Sequence, residues 1–485
     1  MALASIPVTL LAGEGYAALP FLLTAAVSFL LGQLLYRRYR GAQRMQLRHA
    51  MVTAVLSWML VPLVGVVPLF LIAWMIGEDQ AGGSVLVLRD FLNAFFEAVS
   101  GFTSTGLTMI AHPSELPVSL QWWRSFSQWI GGVGVIVLML SVFHPSADSH
   151  RLYFSEAREK TIMPDIAATV RTTWWIYLAY TLAAVMLLRF TGMGWWHALN
   201  YGMTGIATGG FGVTDNSLGD FDVAPRIAML LIVIVGAISF STHYNILRKG
   251  QFHLLWKDPE CHALFLLLLL GALLLALENR WFTGSALWLD SLFQWTSALA
   301  TAGFGTVRLD TWSPTAQLLL SLAMVCGGAA GATTGGLKLR RVVLLGNAAF
   351  ARLRGVALHP WRLMEHKAMA DDETHAVRAL EAAAVMAALW ATVILVGTLL
   401  LLHAVGPGAA LEEVILEVSS ALSNVGLTSG IAGPDLHWSG RVGLILIMWM
   451  GRLEIVPVLV LLSALFVVSR ERLRSSRARK RETKG

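Results

Sequence analysis

The sequence predicts an all-α polytopic membrane protein in which four similar units surround a single pore. Two observations support this prediction. Of the 485 residues, 56% are hydrophobic and 14% are charged, which leaves more apolar surface than a water-soluble protein can bury. A short motif also recurs four times, about one hundred residues apart, and such regular recurrence indicates repeated structural units.

The motif consists of a small hydroxyl or amide residue, a variable residue, glycine, and then Phe or Leu. Small residues five and six positions before each glycine allow short helices to approach one axis. Glycine permits positive φ, so that carbonyl oxygens face a dehydrated cation and replace its water. Close helix packing explains a single copy equally well, but four copies in matching context favour a selectivity filter. The predicted filter residues are Ser104, Thr105 and Gly106; Thr208, Gly209 and Gly210; Thr301, Ala302 and Gly303; and Asn424, Val425 and Gly426.

Nine apolar segments are long enough to cross the hydrocarbon core of a bilayer. They cover residues 18–36, 50–76, 126–143, 172–188, 225–247, 262–276, 314–350, 379–405 and 442–468. Four further apolar stretches lie just before the motifs and are too short to cross, so we predict that they are re-entrant pore helices. These stretches are residues 91–103, 195–207, 289–300 and 411–423.

The spans divide the chain into a peripheral region of one or two helices and four pore units, each with a first helix, a pore helix and a second helix. The peripheral region is residues 1–48, and the pore units are residues 49–150, 151–250, 251–367 and 368–485. Residues 1–12 are apolar but too short to span a membrane, and they lack the basic start of a secretory signal.

Basic loops all fall on one side of this nine-span topology, at residues 37–48, 151–171, 248–257, 338–367 and 470–484. Because Lys and Arg remain on the cytoplasmic side, we expect a cytoplasmic C-terminus and an N-terminus outside. Acidic residues lie near the motifs on the opposite side. They either concentrate cations or simply complement the basic loops. They are Glu115, Asp215, Asp220, Asp222, Asp310 and Asp435.

A cluster of glycines interrupts the seventh apolar segment. Glycine breaks a helix and frees backbone polar groups in the middle of the membrane, where they are tolerated only if they are buried or face water. We expect either a flexible gate beneath the filter or a structural kink. The cluster consists of Gly327, Gly328, Gly331, Gly335 and Gly336, and Lys338, which follows it, either lies at the cytoplasmic mouth or anchors the helix end.

Several stretches resemble the Trk, Ktr and Hkt family of potassium-translocating subunits, and the bacterial TrkH-like members most closely. They are FEAVSGFTSTGLT at residues 96–108, WRSFSQWIGGVG at 123–134, IATGGF at 206–211, GGAAGATTGGLKL at 327–339, SNVGL at 423–427 and GRLEI at 451–455. The resemblance implies four pore units after a pair of extra helices, one of which is shortened here. It also implies a homodimer that binds a cytoplasmic nucleotide-binding ring protein of the TrkA or KtrA type.

Arg452 and Glu454 lie within the last long apolar segment, where an unpaired charge is costly. Two residues apart on a helix, they point to different faces and are not each other's main partner. The resemblance places Arg452 in the pore beneath the filter, where it acts as an electrostatic barrier that donates hydrogen bonds to loop carbonyls. The alternative is an ion pair with a carboxylate on another helix. Glu97 and Glu417, nine residues before the first and fourth motif glycines, are expected to support the pore helices.

The predicted function is potassium uptake across the bacterial inner membrane through a gated pore. A sodium- or proton-coupled cation symporter with broader selectivity is the alternative. An enzyme would need a nucleophile, a metal site or clustered acidic or histidine residues facing a cavity, and the sequence shows no such pattern. We expect no cofactor apart from the transported potassium and no nucleic-acid partner, since the basic tail is better suited to anionic lipid or a docking protein.

Overall fold

The computed structural model describes residues 1–40, 47–134, 166–357 and 370–464. Within these ranges the protein is almost entirely helical and contains no β-strand, which confirms the predicted all-α class. Two helices, α1 (Ala2–Leu11) and α2 (Ala18–Tyr39), precede the first pore unit. They form the peripheral region that the sequence predicted.

Each pore unit begins with a long apolar helix. These first helices contain 29, 25, 25 and 36 residues, and every one of them includes a stretch that is long and apolar enough to cross a membrane. They are α3 (Leu47–Met75), α6 (Ile166–Phe190), α10 (Pro259–Thr283) and α14 (Ala370–Val405).

A 12-residue pore helix follows in every unit. At 1.5 Å per residue such a helix is about 18 Å long and cannot cross the hydrocarbon core of about 30 Å. The predicted stretches 91–103, 195–207, 289–300 and 411–423 match these helices to within one residue at each end. The helices are α4 (Phe91–Phe102), α7 (Trp195–Ile206), α11 (Trp288–Leu299) and α15 (Leu411–Leu422).

In the second, third and fourth units the second helix is shorter than predicted, because the backbone turns at its end. Two predicted spans, residues 225–247 and 442–468, are not straight: each consists of two helices, bent by 98° and 112° respectively. The first pair is α8 (Val223–Ala237) and α9 (Phe240–Lys249). The second pair is α16 (Trp438–Arg452) and α17 (Val456–Ala464). The helices that follow the pore loops of the first and third units are α5 (Val118–Val133) and α12 (Pro314–Cys326).

Local backbone features cause these breaks. Ser239 caps the start of α9 by accepting the Ser241 N–H, so that a new helix begins there. Glu454 and Ile455 have φ of 56° and 64°, a conformation that an α-helix cannot contain. In the third unit, α12 ends at Cys326 and α13 (Leu339–Ala357) begins after twelve intervening residues, as the glycine cluster predicted. The segment predicted at 126–143 is helical up to Val133, and its remainder lies outside the described residues.

The outer surface of the helix assembly is apolar, whereas its interior contains the polar pore loops. On α10, for example, Leu269 is 71% exposed and Trp281 is 90% exposed. The pore helices are mostly buried, and the carboxylates of Glu97 and Glu417 are buried with them. An apolar exterior around a polar interior is the arrangement expected of a membrane protein with a central pathway.

Candidate ion pathway

The four motif loops meet in a closed ring, in which each motif glycine packs against the loop of the next unit. A Cβ added to Gly210 would lie 2.9 Å from the carbonyl oxygen of Ala302, and at the other three contacts it would overlap the oxygen. Only glycine therefore fits at these positions. The contacts, in order around the ring, are Gly106 with Gly209, Gly210 with Ala302, Gly303 with Val425 and Gly426 with Thr105.

All four loops share one backbone conformation. The first motif residue has φ between 48° and 53°, and the glycine has φ between 74° and 101°. The N–H of the residue between them donates a hydrogen bond of 2.8 to 2.9 Å to a carbonyl oxygen five residues earlier. The donor and acceptor pairs are Thr105 and Ser100, Gly209 and Thr204, Ala302 and Ser297, and Val425 and Ser420.

The copies differ in how side chains support this backbone. In the first and fourth copies, the hydroxyls of Ser100 and Ser420 accept the N–H of the motif glycine at 3.0 Å. In the second copy, the Thr204 hydroxyl instead donates to the carbonyl of Asn200. Asn424 links the first and fourth loops, since its Nδ2 lies 2.9 Å from Thr105 Oγ1. The ring is thus pseudo-symmetric in its backbone but not in its side-chain contacts.

Glu97 and Glu417 fasten their pore helices to the chain that leaves the ring. Glu97 accepts hydrogen bonds from the Thr108 hydroxyl and from the Met109 N–H. Glu417 accepts the equivalent pair from Thr428 and Ser429. These contacts match the predicted supporting role of both carboxylates, which lie behind the ring.

Arg124 on α5 is a site residue that the sequence analysis did not identify. Its side chain is 2% exposed, its Nε lies 2.7 Å from Glu97, and its guanidinium stacks over the Phe211 ring at 4.2 Å. It also donates to the Gly212 carbonyl in the second unit. The sequence does contain a signal for Arg124: it is the only charged residue of α5, and a charge within a membrane helix requires a buried partner.

A wide vestibule of about 700 Å³ opens on one side of the ring, and all four motif glycines line it. The outer loops of the first two units meet at its edge, where the Ser114 N–H and hydroxyl both donate to Asp215. His112 lies 3.4 Å from the same carboxylate. Partial burial would raise the pKa of Asp215, but the hydrogen bonds from Ser114 and the nearby His112 outweigh it and hold that pKa below its ordinary value.

A much smaller cavity, of about 50 Å³, lies on the opposite side of the ring. We call this side the basic side, because α2 ends and α10 begins there beside basic segments. The residues between α12 and α13, 327–338, form the glycine loop that bounds this cavity. Gly335 brings the loop directly under the ring: its N–H donates to Thr301 Oγ1 at 2.8 Å, and a Cβ on it would overlap the carbonyl of Ser423.

The tip of the glycine loop is attached to neighbouring helices. Glu260, which is 5% exposed near the start of α10, accepts the Ala330 N–H at 2.7 Å. The Phe240 N–H at the start of α9 donates to the carbonyl of Gly331 at 3.1 Å. The Ala329 N–H donates to Ala237 at the end of α8. The loop is therefore an ordered element bound to the second and third units.

Two cationic side chains, Lys338 and Arg452, and one carboxylate, Glu454, line the inner cavity together with the glycine loop. Lys338 has φ of 78°, and its ammonium donates to the carbonyl of Thr334. The Arg452 guanidinium donates to the carbonyls of Gly131 and Gly132 at the end of α5, acceptors that the sequence did not predict. Glu454 pairs with Arg341 at 2.6 Å, which confirms that Arg452 and Glu454 have separate partners.

The described residues contain no group of three or more His, Cys, Asp or Glu side chains arranged to hold a metal ion. What the geometry provides is a ring of backbone carbonyls and small side chains between two cavities, with two cations on the narrow side. Such an arrangement is suited to a cation that crosses the ring without its hydration shell.

Comparison with known proteins gives extensive matches. The model of the TrkH family, described as a cation transport protein, matches residues 20–467. A potassium uptake protein, TrkH, from Vibrio parahaemolyticus is 31% identical over 96% of this chain and 95% of its own length. An uncharacterized cation transporter of Methanocaldococcus jannaschii is also 31% identical, over 89% of this chain and 85% of its own. The crystal structure of the potassium transporter TrkH from Vibrio parahaemolyticus superposes with a TM-score of 0.78 at 29% identity, covering 95% of this chain and 94% of that one.

Proposed function

Since this chain belongs to the TrkH family of cation transport proteins, we propose that it takes up potassium through the ring of four motif loops. The resemblance seen in the sequence motifs is thereby confirmed, and the chain is a transport protein, not an enzyme. The observation that carries the proposal is the closed ring of glycine loops between a wide vestibule and a narrow inner cavity. Relatives named potassium uptake proteins support potassium as the ion.

In this proposal potassium loses its water at the ring and is coordinated by backbone oxygen. Potassium is large and weakly hydrated, so carbonyl dipoles of moderate field strength suffice without a charged side chain in the ring. The ion would be held by the predicted filter residues, with Gly106, Gly210, Gly303 and Gly426 at the narrowest part. Unequal side-chain support in the four copies should leave fewer well-formed ion sites than a fourfold-identical filter, and hence looser rejection of sodium.

The glycine loop and the two cations beneath it form the proposed gate. The gate residues are Gly327, Gly328, Gly331, Gly335, Gly336, Lys338 and Arg452. The loop narrows the pathway directly below the ring, and the positive charge of Arg452 opposes the passage of a cation. Uptake then requires that the loop moves away from Thr301 and Ser423.

The basic side is the proposed cytoplasmic side, in agreement with the distribution of Lys and Arg. The five chain segments predicted from the sequence are the proposed structural units of a multi-pass protein of the bacterial inner membrane. A homodimer and a nucleotide-binding ring protein of the TrkA or KtrA type, docked on the cytoplasmic side, complete the proposal; membrane lipid surrounds the outer helices.

The proposal is tested by potassium and rubidium flux into liposomes that contain the purified protein, with sodium and ammonium as competitors. Gly303→Ser is expected to reduce the preference for potassium over sodium at least about fivefold, because any Cβ there overlaps the neighbouring carbonyl. Gly346→Ser is the matched control, since Gly346 lies on the exposed part of α13 with nothing within 4 Å of an added Cβ.

Potassium-selective flux that only Gly303→Ser alters would support the ring as the pathway. An unchanged selectivity in Gly303→Ser would place the pathway elsewhere. Potassium flux that stops without a sodium or proton gradient would favour the symporter alternative.

A further inference from the structure

The segment between α8 and α10 is placed where a membrane surface would meet it. The 98° bend between α8 and α9 turns α9 away from the direction of the crossing helices, at the basic side of the protein. A short helical turn, Leu254–Lys257, follows α9, and α10 then re-enters the apolar region. The segment therefore connects two helices of the apolar outer surface at the basic side of the protein.

This segment is both basic and amphipathic. Residues 240–257 contain Arg248, Lys249 and Lys257 and no acidic residue. Their buried side chains, Phe240, Thr242 and His243, pack towards the protein. The acidic groups of the adjoining helix start are Asp258, which caps α10, and the buried Glu260, which accepts the Ala330 N–H. The net charge that the segment presents to its surroundings is positive.

Large apolar side chains of the same segment point outward. Leu247 is 56% exposed, Phe252 is 65% exposed and Trp256 is 75% exposed. The Trp256 ring lies 6.0 Å from the Phe265 ring on α10, one turn before the outward-facing Leu269. The apolar face of the segment is thus continuous with the apolar outer surface of α10.

Aromatic side chains beside basic ones, at the edge of an apolar belt, are the chemistry that anionic phospholipid recognises. Amphipathic helices of this kind place the apolar face among acyl chains, and each nearby Lys or Arg attracts an anionic headgroup. Continuity with the outer face of α10 favours lipid over a soluble protein as the occupant, because one lipid layer would cover both surfaces.

The segment also contacts the glycine loop directly. The first N–H of α9, from Phe240, is bonded to the Gly331 carbonyl, and Glu260 at the start of α10 accepts the Ala330 N–H. A force that fixes α9 at the membrane surface would therefore fix the tip of the loop. Through the hydrogen bond from Phe240 to Gly331, the segment is connected directly to the proposed gate.

We propose that residues 240–257 form a membrane-surface anchor, which binds anionic phospholipid headgroups and holds the glycine loop against the ring. This inference rests on the proposed function, since it assumes that the glycine loop is the gate. Anionic lipid then restrains opening, and neutralising the anchor releases it.

The first test concerns location and does not depend on transport. The full-length protein, with Cys261 and Cys326 replaced by serine, is labelled with a nitroxide at Trp256→Cys and reconstituted in nanodiscs of phosphatidylglycerol and phosphatidylcholine. We expect the label to be more accessible to oxygen than to a water-soluble nickel chelate. The control is Arg308→Cys, on a side chain 83% exposed at the vestibule, where the order should be reversed. A Trp256 label as accessible to nickel as the Arg308 label would overturn the proposal and indicate a surface for a soluble protein.

The second test measures regulation. Potassium flux of the unmodified protein should be at least about threefold slower in vesicles with phosphatidylglycerol than in pure phosphatidylcholine, because headgroup binding restrains the loop. The variant R248Q/K249Q/K257Q should be fast in both. The control R37Q/R38Q/R40Q removes three cations at the end of α2 and should behave like the unmodified protein. An equal lipid response in both triple variants would overturn the regulatory role. An absence of flux in every vesicle would contradict the proposed function, and the labelling experiment alone would then test whether the segment lies at the membrane surface.

Discussion

The two cavities that meet at the ring differ more than tenfold in size, about 700 Å³ on the vestibule side and about 50 Å³ on the basic side. Both are lined by the same kind of loop, rich in glycine and small polar residues. A water molecule needs about 10 to 15 Å³ of such space, so the vestibule holds many waters and the inner cavity holds only a few. Water screens charges in the vestibule, whereas in the proposed pathway the charges of the inner cavity would act on an ion with little water around it. Equivalent substitutions on the two sides should therefore have unequal effects.

The largest difference is expected between two arginines. Arg452→Gln should raise potassium flux about tenfold, because a cation within a few ångströms of the pathway adds a barrier of one to a few kcal/mol at an effective dielectric constant of about 20. Arg308→Gln, at the edge of the vestibule, should change flux less than about twofold, because water and salt screen an exposed charge. Liposome flux measures both.

A structural role of Arg452 is separated from a barrier role by Arg452→Lys, which keeps the charge. Under the barrier interpretation this variant folds with a similar melting temperature and does not gain flux. A gain of flux in Arg452→Lys would contradict the barrier role of Arg452. Equal gains in Arg452→Gln and Arg308→Gln would contradict the expected difference between the inner cavity and the vestibule.

A smaller difference is expected between two carboxylates that accept backbone N–H groups. Glu260→Ala removes the acceptor of the Ala330 N–H and should raise flux about threefold, since a buried hydrogen bond to a charged group contributes about 1.5 to 3 kcal/mol, of which only part is lost on opening. Glu260→Gln retains an acceptor oxygen and should have less effect. Glu115→Ala is the matched control at the vestibule side, where Glu115 accepts the Ser84 N–H. Flux that rises equally in both alanine variants would argue against a latch on the glycine loop.

The smallest effect is expected at the vestibule edge. Asp215→Asn should change flux less than about twofold, because the carboxylate lies beside a wide, hydrated space. Its effect should appear in stability instead. The folded-state pKa of Asp215 lies below its unfolded value, so its contribution is complete above the ordinary aspartate pKa of about 3.9 and is lost as the pH falls through the folded value.

The corresponding measurement is the difference in melting temperature between the unmodified protein and Asp215→Asn. This difference should be present at pH 7 and should shrink towards pH 3. A difference that grows on acidification would contradict the assigned direction of the pKa shift.

The pore helices were predictable because each is a short apolar run that ends at a motif. A run of 12 or 13 residues is too short to cross a bilayer, and its position directly before a motif indicated a pore helix. The motif also predicted positive φ at the third position of each loop, where glycine stands, but not at the first position, where Ser, Thr or Asn has φ of about 50°. Local sequence and final structure agree wherever a single chemical requirement decides the conformation.

The bends were not predictable in the same way. The break at Ile455 occurs within an apolar run and uses a β-branched residue at φ of 64°, against its local preference. The pairing of Glu97 with Arg124, and of Glu260 with Ala330, joins residues 27 and 70 positions apart. Both pairs join elements of the same pore unit, and such contacts depend on how the helices and loops of a unit pack in three dimensions, which the spacing of residues along the chain does not specify.

The ring is closed by a contact between the first and last units, in which Asn424 and Thr105 meet across 319 residues of sequence. The ribosome synthesises the first three loops before the fourth. Until the fourth loop is made, its contacts with the first and third loops cannot form. Contacts between residues so distant in sequence form late and slowly. The ring that we propose as the filter is therefore complete only when nearly the whole chain has been synthesised, so an unfinished chain offers no complete pathway for ions.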